Sequence, residues 1–357
     1  MTPHLVVDLS GHGYGHAGIT SPVLNVLRRS CPEVRVTIRS TIPAAWLAQH
    51  LDGSFDYLIE PDFGMAMAGT MHVLPQESIA AYQNIHKNWA ERVDAGAAAL
   101  ATLKPTLLLS NISYLSLAAA RQAKIPAIAF SAVNWADIFY QYCIDLPGAQ
   151  IIWKQMVDAY ASAELFLQPT PGMLMPSISN RRQVGPVAYI GRQRRDELHD
   201  RLGLSSDILV VLLALGGIPT NLSCASWPRL EDVRVVLGSK LESNHPDVIS
   251  CDLLDFPFID LVRSSDVIIT KPGYGLVTEA ACNGTPLLLL PRKDWPETPA
   301  FVRWLRQHGR MLTLAEEKLH TGEFLSEVHA LRIMPSPPIP APSGTAEVAA
   351  ILADRLS

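Results

Sequence analysis

The sequence predicts an α/β protein made of two doubly wound units in tandem, each with a parallel sheet. Short apolar runs alternate with segments of helical periodicity, which is the pattern of buried strands joined by crossover helices. Two such series follow one another along the chain. In each series a strand runs directly into a glycine-rich turn, and such turns at the carboxyl end of parallel strands are where α/β proteins bind ligands.

In the first series, helices are expected at Gln76–Leu103 and Leu115–Ala123. The expected strands are Leu5–Leu9, Val34–Ile38, Tyr57–Ile59, Thr106–Leu109, Ala127–Phe130 and Leu165–Leu167. In the second series, the expected helices are Ile259–Arg263, Leu276–Asn283 and Ala300–Gln307. The expected strands are Ile208–Leu215, Val233–Leu237, Val248–Ser250, Val267–Ile269 and Leu287–Leu290.

The first domain is expected at residues 1–175 and the second at 176–334, because prolines and glycines between Pro169 and Pro186 interrupt any regular element. Residues 335–344 are rich in proline and are expected to form a stiff strap. Apolar residues at helical spacing in 345–356 predict a terminal helix that packs back on the first domain.

The composition limits the possible functions. The chain has 357 residues, 48% of them hydrophobic, and a net charge of -5, which predicts a soluble globular protein and argues against a nucleic-acid partner. The five cysteines lack CxxC pairs, so neither a zinc site nor a disulfide framework is expected, and a cytoplasmic location fits best. No segment is expected to span a membrane. The methionine-rich stretch Phe63–Met71 leaves a peripheral lipid contact open, although such stretches more often serve as adaptable packing.

The most informative stretch is the junction between the strand Val267–Ile269 and the helix that follows it. Gly273, Tyr274 and Gly275 form a turn, and the free N–H groups and positive dipole end of a helix start attract phosphate oxygens. Glu279 falls about one turn into the helix, where a carboxylate can accept hydrogen bonds from a ribose diol. The junction is typical of a nucleotide diphosphate site, and a turn whose glycines only relieve strain is the alternative.

Two further segments of the second series point to the same sheet edge. Gly216 and Gly217 follow the strand Ile208–Leu215, and their bare amides could approach a phosphate closely. Asp294 and Glu297 follow the last predicted strand, and their carboxylates could bind sugar hydroxyls. A surface turn followed by an acid that complements a helix dipole explains Glu297 equally well.

The first strand of the chain opens onto a loop in which Gly13-x-Gly15-x-x-Gly18 formally matches the dinucleotide fingerprint. The acid that should bind the ribose is missing, and Arg39 stands in its place. Because an arginine there suits a 2′-phosphate, an NADP-dependent enzyme is an alternative.

His16 ends this glycine turn and begins a helix in the expected ligand crevice. A neutral imidazole there could take a proton from an acceptor hydroxyl, and a histidine that caps its own helix is the alternative. His12 lies four residues away, but no third ligand is near in the sequence, so no metal site is predicted.

With these residues assembled, the chain resembles the GT-B glycosyltransferases, especially those with a family 28 C-terminal domain, and the glycosyltransferase-like N-terminal half of plant L-arabinokinases. The likeness covers most of the chain. The motifs that carry it are Gly11–His16, Asn134–Tyr140, Gly216–Pro219, Asp266–Glu279 and Arg292–Trp295.

The resemblance implies a GT-B fold, in which two Rossmann-like domains face a cleft, and an inverting transfer without a metal ion or other cofactor. His16 would be the base or acceptor-side histidine. The donor-binding residues would be Gly217, Gly273, Tyr274 and Gly275 for the diphosphate, Glu279 for the ribose, the backbone of Leu254 or Asp255 for the base, Asp294 and Glu297 for the sugar, and Gly13, Gly15 and Gly216 in the adjoining loops.

Three features depart from the family pattern. Asn111 stands where similar proteins have an acid that would support a protonated His16. Glu297 stands where some have an amide that reads the sugar. The sequence also offers no kinase domain of the arabinokinase type, so sugar phosphorylation is not expected.

We therefore expect a glycosyltransferase that uses a nucleoside diphosphate sugar, with UDP as the nucleotide, and a hydroxyl acceptor. A protein that binds the nucleotide sugar without transfer is one alternative, favoured by Asn111. A nucleotide-sugar epimerase is the other, and it needs additional acid–base groups.

Overall fold

The computed structural model describes residues 2–68, 72–216, 222–238, 243–292 and 294–357. The chain divides into two compact units, residues 1–187 with 343–357, and residues 188–342.

The first unit contains a parallel sheet with helices around it. Its strands are β1 (His4–Leu9), β2 (Arg35–Ser40), β3 (Asp56–Leu58), β4 (Met67–Ala68), β5 (His72–Val73), β6 (Leu107–Asn111), β7 (Ala127–Phe130), β8 (Leu165–Pro169) and β9 (Arg181–Val184). Its helices up to this point are α1 (Gly15–Ser30), α2 (Ala44–His50), α3 (Pro75–His86), α4 (Trp89–Leu103), α5 (Tyr114–Gln122), α6 (Trp135–Cys143) and α7 (Ala149–Tyr160). The sheet order is β3-β2-β1-β6-β7-β8-β9, and β4 and β5 form a separate antiparallel pair.

The second unit contains a six-stranded parallel sheet. Its strands are β10 (Leu209–Ala214), β11 (Val233–Leu237), β12 (Val248–Ser250), β13 (Val267–Thr270), β14 (Leu287–Leu289) and β15 (Met311–Thr313). Its helices are α8 (Arg195–Leu202), a 3-10 turn (Cys251–Leu253), α9 (Phe258–Ser264), α10 (Tyr274–Asn283), α11 (Thr298–His308), α12 (Glu316–Thr321) and α13 (Leu325–Ile333). The sheet order is β12-β11-β10-β13-β14-β15. Valine, leucine and isoleucine make up most of β10 and β13, which are buried along their whole length, so the apolar runs of the sequence become central strands.

The remaining helix, α14 (Ser343–Leu356), packs against α1 and β9 of the first unit. The proline-rich segment before it belongs to the second unit. There, the side chain of Ile339 lies against Gly284, at which a Cβ would come within 2.8 Å of Ile339 Cδ1.

Two sequence-based expectations differ from the structure. The first unit extends beyond residue 175, because β9 hydrogen-bonds to β8; Arg181 and Arg182 of this edge strand are exposed and polar, and therefore gave no apolar signal. The single helix expected at 76–103 is two helices, because Asn88 leaves the helical region with φ -116° and ψ 44°.

Candidate functional site

Each large sheet has one point at which successive connections proceed in opposite directions. In the first unit this point lies between β1 and β6, and in the second unit between β10 and β13. Loops that leave the carboxyl ends of such neighbouring strands diverge and open a crevice, which is the ligand position in α/β folds. The glycine turns predicted from the sequence follow β1, β10 and β13.

Helix α10 begins at the end of β13 without a side-chain cap. Gly273 is its N-cap residue, and no acidic residue lies in its first turn. A Cβ at Gly273 or Gly275 would meet nothing within 4 Å, so both glycines border open space, whereas the ring of Tyr274 is buried. Side chains cap α5 and α6, whereas α10 shares its uncapped start with several other described helices, such as α3 and α4. With open space at both glycines, the first turn of α10 is suited to an anion.

The loop after β10 lies next to this helix start. Gly216 has φ +87°, a conformation that favours glycine, and a Cβ there would be 3.2 Å from Cε of Lys271. Burial, with a smaller effect from Arg292, lowers the pKa of Lys271 to about 8. Two of the predicted phosphate-binding elements thus adjoin. The other predicted residue of the loop, Gly217, lies outside the described residues.

Glu279 is half-buried, one turn inside α10. Burial raises the pKa of its carboxyl to about 8, so the group is mainly protonated at neutral pH. A protonated carboxyl donates one hydrogen bond and accepts others, which suits a pair of vicinal hydroxyls. The sequence analysis expects an ionised carboxylate at this position, and such a group only accepts hydrogen bonds.

The segment predicted to meet the base follows the 3-10 turn after β12. The guanidinium of Arg201 donates to the carbonyl oxygens of Leu254 and of Asp255, the latter at 2.7 Å. Arg201 in turn pairs with Glu197 at 2.8 Å. A nucleobase at this segment would have to share these oxygens with Arg201, a residue that the sequence did not single out.

The two acids predicted to bind sugar have different surroundings. Asp294 is exposed, whereas Glu297 is buried, and its Oε2 accepts a hydrogen bond from the indole N–H of Trp295 at 2.7 Å. The guanidinium of Arg292 covers the Trp295 ring, 3.9 Å from its centroid. Burial raises the pKa of Glu297 to about 7. In this arrangement, the carboxyl of Glu297 is the hydrogen-bond partner of Trp295.

His16 is the second residue of α1 and belongs to a defined hydrogen-bond network. The Nδ1 and Asn111 Oδ1 atoms are 2.8 Å apart. Asn111 Nδ2 donates to Thr20 Oγ1 at 2.9 Å, while the Thr20 hydroxyl donates to the His16 carbonyl. These contacts orient the amide so that Oδ1 accepts from Nδ1–H, which leaves Nε2 of the neutral ring as the proton acceptor. Burial lowers the pKa of His16, and the hydrogen bond with Asn111 opposes this effect only in part.

The rest of the first glycine loop is open. Gly13 has φ +104°, and a Cβ at Gly13 or Gly15 would meet nothing within 4 Å. Like α10, α1 has neither a side-chain cap nor an acid in its first turn. Tyr14 stacks on Trp46, with ring centroids 4.9 Å apart, and remains 41% exposed.

Arg39 is the residue on which the alternative of an NADP-dependent enzyme depends. Its side chain is turned into the first unit. Only 4% of its side chain is exposed, and it pairs with Asp8 at 3.3 Å and with Glu60 at 2.8 Å. The two ion pairs use Nε and Nη2 and hold the guanidinium inside the unit, so the feature that favoured a cofactor 2′-phosphate no longer does so.

Two side chains near His16 were missed as site residues. Asp62 follows β3, and its Oδ2 accepts a hydrogen bond from Trp135 Nε1 at 3.4 Å. The Trp135 and His16 ring centroids are 6.4 Å apart. An acid shortly after a predicted strand was the available signal for Asp62, because strand ends meet at one sheet edge.

Within the described ranges, no three His, Cys, Asp or Glu residues lie close enough to hold a metal ion. Among the helices that the structure describes, none has the length and apolar character needed to cross a membrane. In the methionine-rich stretch, Met65 is buried and Phe63 half-buried, so these two residues pack inward, while Met71 lies outside the described residues.

No family model matches the chain. A curated relative, the L-arabinokinase of Arabidopsis thaliana, is 26% identical over 322 residues, which are 84% of this chain. The chain spans only 29% of that relative's length.

Solved structures show the fold. The chain is similar to Arabidopsis thaliana UGT89C1 in complex with UDP (TM-score 0.60, 16% identity, 99% of each chain). It is similar to Medicago truncatula UGT71G1 in complex with UDP-glucose (TM-score 0.60, 12% identity, 100% of this chain and 99% of that one). A Listeria monocytogenes protein described as a candidate UDP-N-acetylglucosamine 2-epimerase is also similar (TM-score 0.59, 13% identity, 100% and 97% coverage). The expected GT-B fold class, with two Rossmann-like units, is confirmed.

Proposed function

We propose that the protein is a glycosyltransferase that transfers a hexose-type sugar from a UDP-sugar to an acceptor hydroxyl and releases UDP. Inversion at the anomeric carbon and independence from a metal ion are part of the proposal. The observation that carries it is the start of α10, where an uncapped helix adjoins Gly216 and has a half-buried acid one turn inside.

The donor's diphosphate would bind at the first turn of α10, where backbone N–H groups can take the place of a metal in neutralising charge. Lys271 adds a cation beside this turn. Glu279 would bind the ribose hydroxyls. As the bond to the sugar breaks, negative charge grows on the diphosphate, so the same groups would stabilise the leaving group.

The acceptor would meet His16. Its Nε2 is the free acceptor nitrogen, because Nδ1–H is engaged by Asn111. Nε2 would take the hydroxyl proton while the acceptor oxygen attacks the anomeric carbon from the face opposite the diphosphate. A single displacement of this kind inverts the configuration.

Two other functions have specific support. Asn111 is neutral and cannot compensate an imidazolium, which favours a protein that binds a nucleotide sugar without transfer. The likeness to the Listeria monocytogenes protein favours an epimerase on the same fold.

The three functions can be separated by measuring the thermal stability of the protein with UDP, UDP-glucose and UDP-N-acetylglucosamine, using ADP and GDP as controls. UDP release is then followed with a panel of hydroxyl acceptors. Selective stabilisation by UDP compounds with acceptor-dependent UDP release supports the transferase. Stabilisation without release favours the binding protein, and conversion of the UDP-sugar without any acceptor favours the epimerase.

A further inference from the structure

A surface cavity of about 310 Å³ lies in the first unit, beside α4 and α5. Its walls include Arg39 at the end of β2, Glu60 and Phe63 from the segment after β3, and Arg92 and Ala99 of α4. Of the described residues that line it, none is among those assigned above to the UDP-sugar or to the acceptor hydroxyl. The cavity is therefore a second place in the first unit where a small molecule can bind.

The cavity and His16 lie on opposite faces of the sheet. Successive side chains of a strand point to opposite faces, and Asn111 of β6 contacts His16 of α1. Ser110, with its register partners Asp8 and Arg39, therefore points to the other face. Because Arg39 lines the cavity, a ligand there would lie on the side of α4 and α5, away from His16.

Helix α4 presents one continuous face to the cavity. Arg92, Ala95, Gly96 and Ala99 all line it, and their spacing of three and four residues places them on the same side of the helix. Three of the four have small side chains or none. At Gly96 the two helices approach closely, because a Cβ there would be 2.9 Å from the Cβ of Ala119. The small residues leave room in front of one cation, Arg92.

The guanidinium of Arg92 has no acidic partner. Arg92 is half-buried, lies over the Phe63 ring at 5.9 Å from its centroid, and forms no ion pair within the parts of the chain that the structure describes. Its Nε is buried and has no hydrogen-bond partner there. A buried donor without an acceptor costs free energy, and a guanidinium matches the geometry of a carboxylate or a phosphate. An anionic ligand would supply the acceptor.

The facing wall offers a different chemistry. Arg39 Nη2 pairs with Glu60 Oε2 at 2.8 Å, and this pair fixes the Glu60 carboxyl while 41% of the side chain stays exposed. A carboxylate has several acceptor positions, so Glu60 can still accept hydrogen bonds from hydroxyl groups. Phe63 adds an apolar ring between this acid and Arg92. The walls thus suit a ligand that carries an anionic group, hydroxyls and an apolar face.

We propose that this cavity binds a small hydroxylated anion, a monosaccharide that carries a carboxylate or a phosphate group. Its anionic group pairs with Arg92, its hydroxyls donate to Glu60, and one face of its ring lies against Phe63. A volume of about 310 Å³ is at the lower end for small-molecule pockets and suits a ligand of this size. The site goes beyond the proposed transfer reaction and does not depend on it.

Calorimetric titration of the full chain with glucuronate and with glucose 6-phosphate tests the proposal, and glucose is the neutral control. We expect at least one of the two anions to bind about tenfold or more tightly than glucose, and the preferred anion identifies the charged group. Arg92→Gln should weaken this binding about tenfold or more. Arg121→Gln, which removes an exposed arginine of α5 outside the cavity, is the matched control and should leave it unchanged.

A second pair of variants tests the place of binding. Ala99→Leu fills the cavity from an exposed helix position, so it should abolish anion binding without lowering the thermal midpoint, since leucine is a good helix former. Ala98→Leu adds the same side chain at the next exposed position, outside the cavity, and should bind the anion normally. Saturating UDP should leave the anion affinity unchanged.

Three results would overturn the proposal. The first is that neither anion binds better than glucose. The second is an anion affinity that stays unchanged in Arg92→Gln or in Ala99→Leu. The third is displacement of the anion by UDP, which would place it at the first turn of α10. Because the anion titration requires neither UDP binding nor transfer, it decides this proposal even if the proposed function fails.

Discussion

The indole N–H of Trp295 donates a hydrogen bond to Oε2 of Glu297 across 2.7 Å. This contact joins two residues that precede α11 and gives a buried carboxyl its hydrogen-bond donor. Trp295→Phe keeps the ring and removes the donor. We expect a loss of about 1–3 kcal/mol in the free energy of unfolding, larger at pH 8 than at pH 6, because the charged carboxylate needs the donor most. Chemical denaturation at the two pH values measures this loss.

Trp153→Phe is the matched control, because the buried indole nitrogen of Trp153 has no hydrogen-bond partner. It should cost clearly less than Trp295→Phe. Equal losses in the two variants would mean that the bond to Glu297 contributes little.

Gly275→Ala should separate binding from folding. A Cβ at this position meets nothing within 4 Å, and alanine suits a helix better than glycine, so the thermal midpoint should stay the same or rise slightly. The added methyl group would occupy the space at the first turn of α10, so the affinity for UDP should fall about tenfold or more. Unchanged UDP affinity, measured by calorimetry, would place the diphosphate elsewhere.

Glu279 makes stability depend on pH. Its pKa is about 8 in the folded protein, above the ordinary value of 4.5, so its favourable contribution is complete below the unfolded pKa and is lost as pH rises through 8. Glu279→Gln removes this dependence. The variant should gain thermal stability relative to the wild-type protein between pH 5 and pH 9, whereas the exposed-site control Glu323→Gln should not. A constant difference across this range would contradict the burial argument.

Asn111→Asp should strengthen His16 as a base. A carboxylate at Nδ1 stabilises the imidazolium, so the pKa of His16 should rise and the acidic limb of the pH–rate profile should move to higher pH. The Thr20 hydroxyl can turn to donate to the new oxygen, which limits the structural cost. We expect kcat to increase about tenfold at pH 8. An unchanged profile would show that His16 does not accept the proton.

The junction between β13 and α10 was predictable because its signals are local. A buried apolar strand, a glycine turn and a helix with an acid one turn inside all lie between Val267 and Asn283. The secondary-structure propensities and the spacing of apolar residues in this segment are enough to predict the strand, the turn and the helix, because none of them depends on distant parts of the chain.

The contacts of His16 and of Asp62 could not be predicted in the same way. Asn111 is 95 positions from His16 and reaches it only because β6 pairs with β1, and Asp62 reaches its neighbours only through the fold of the segment after β3. The edge strand β9 was missed for another reason, since its exposed arginines carry no apolar pattern. Which strands pair, and which strand lies at the edge, depends on how the whole sheet assembles.

The central claim, that α10 and Gly216 border a UDP-sugar site, is tested most directly by calorimetric titration of UDP into the wild-type protein, Gly275→Ala and Glu279→Ala. We expect UDP to bind the wild-type protein in preference to ADP and GDP, Gly275→Ala to bind at least about tenfold more weakly, and Glu279→Ala to lose about 1–3 kcal/mol. Equal binding of UDP by all three proteins, or no preference of the wild-type protein for UDP, would contradict the assignment.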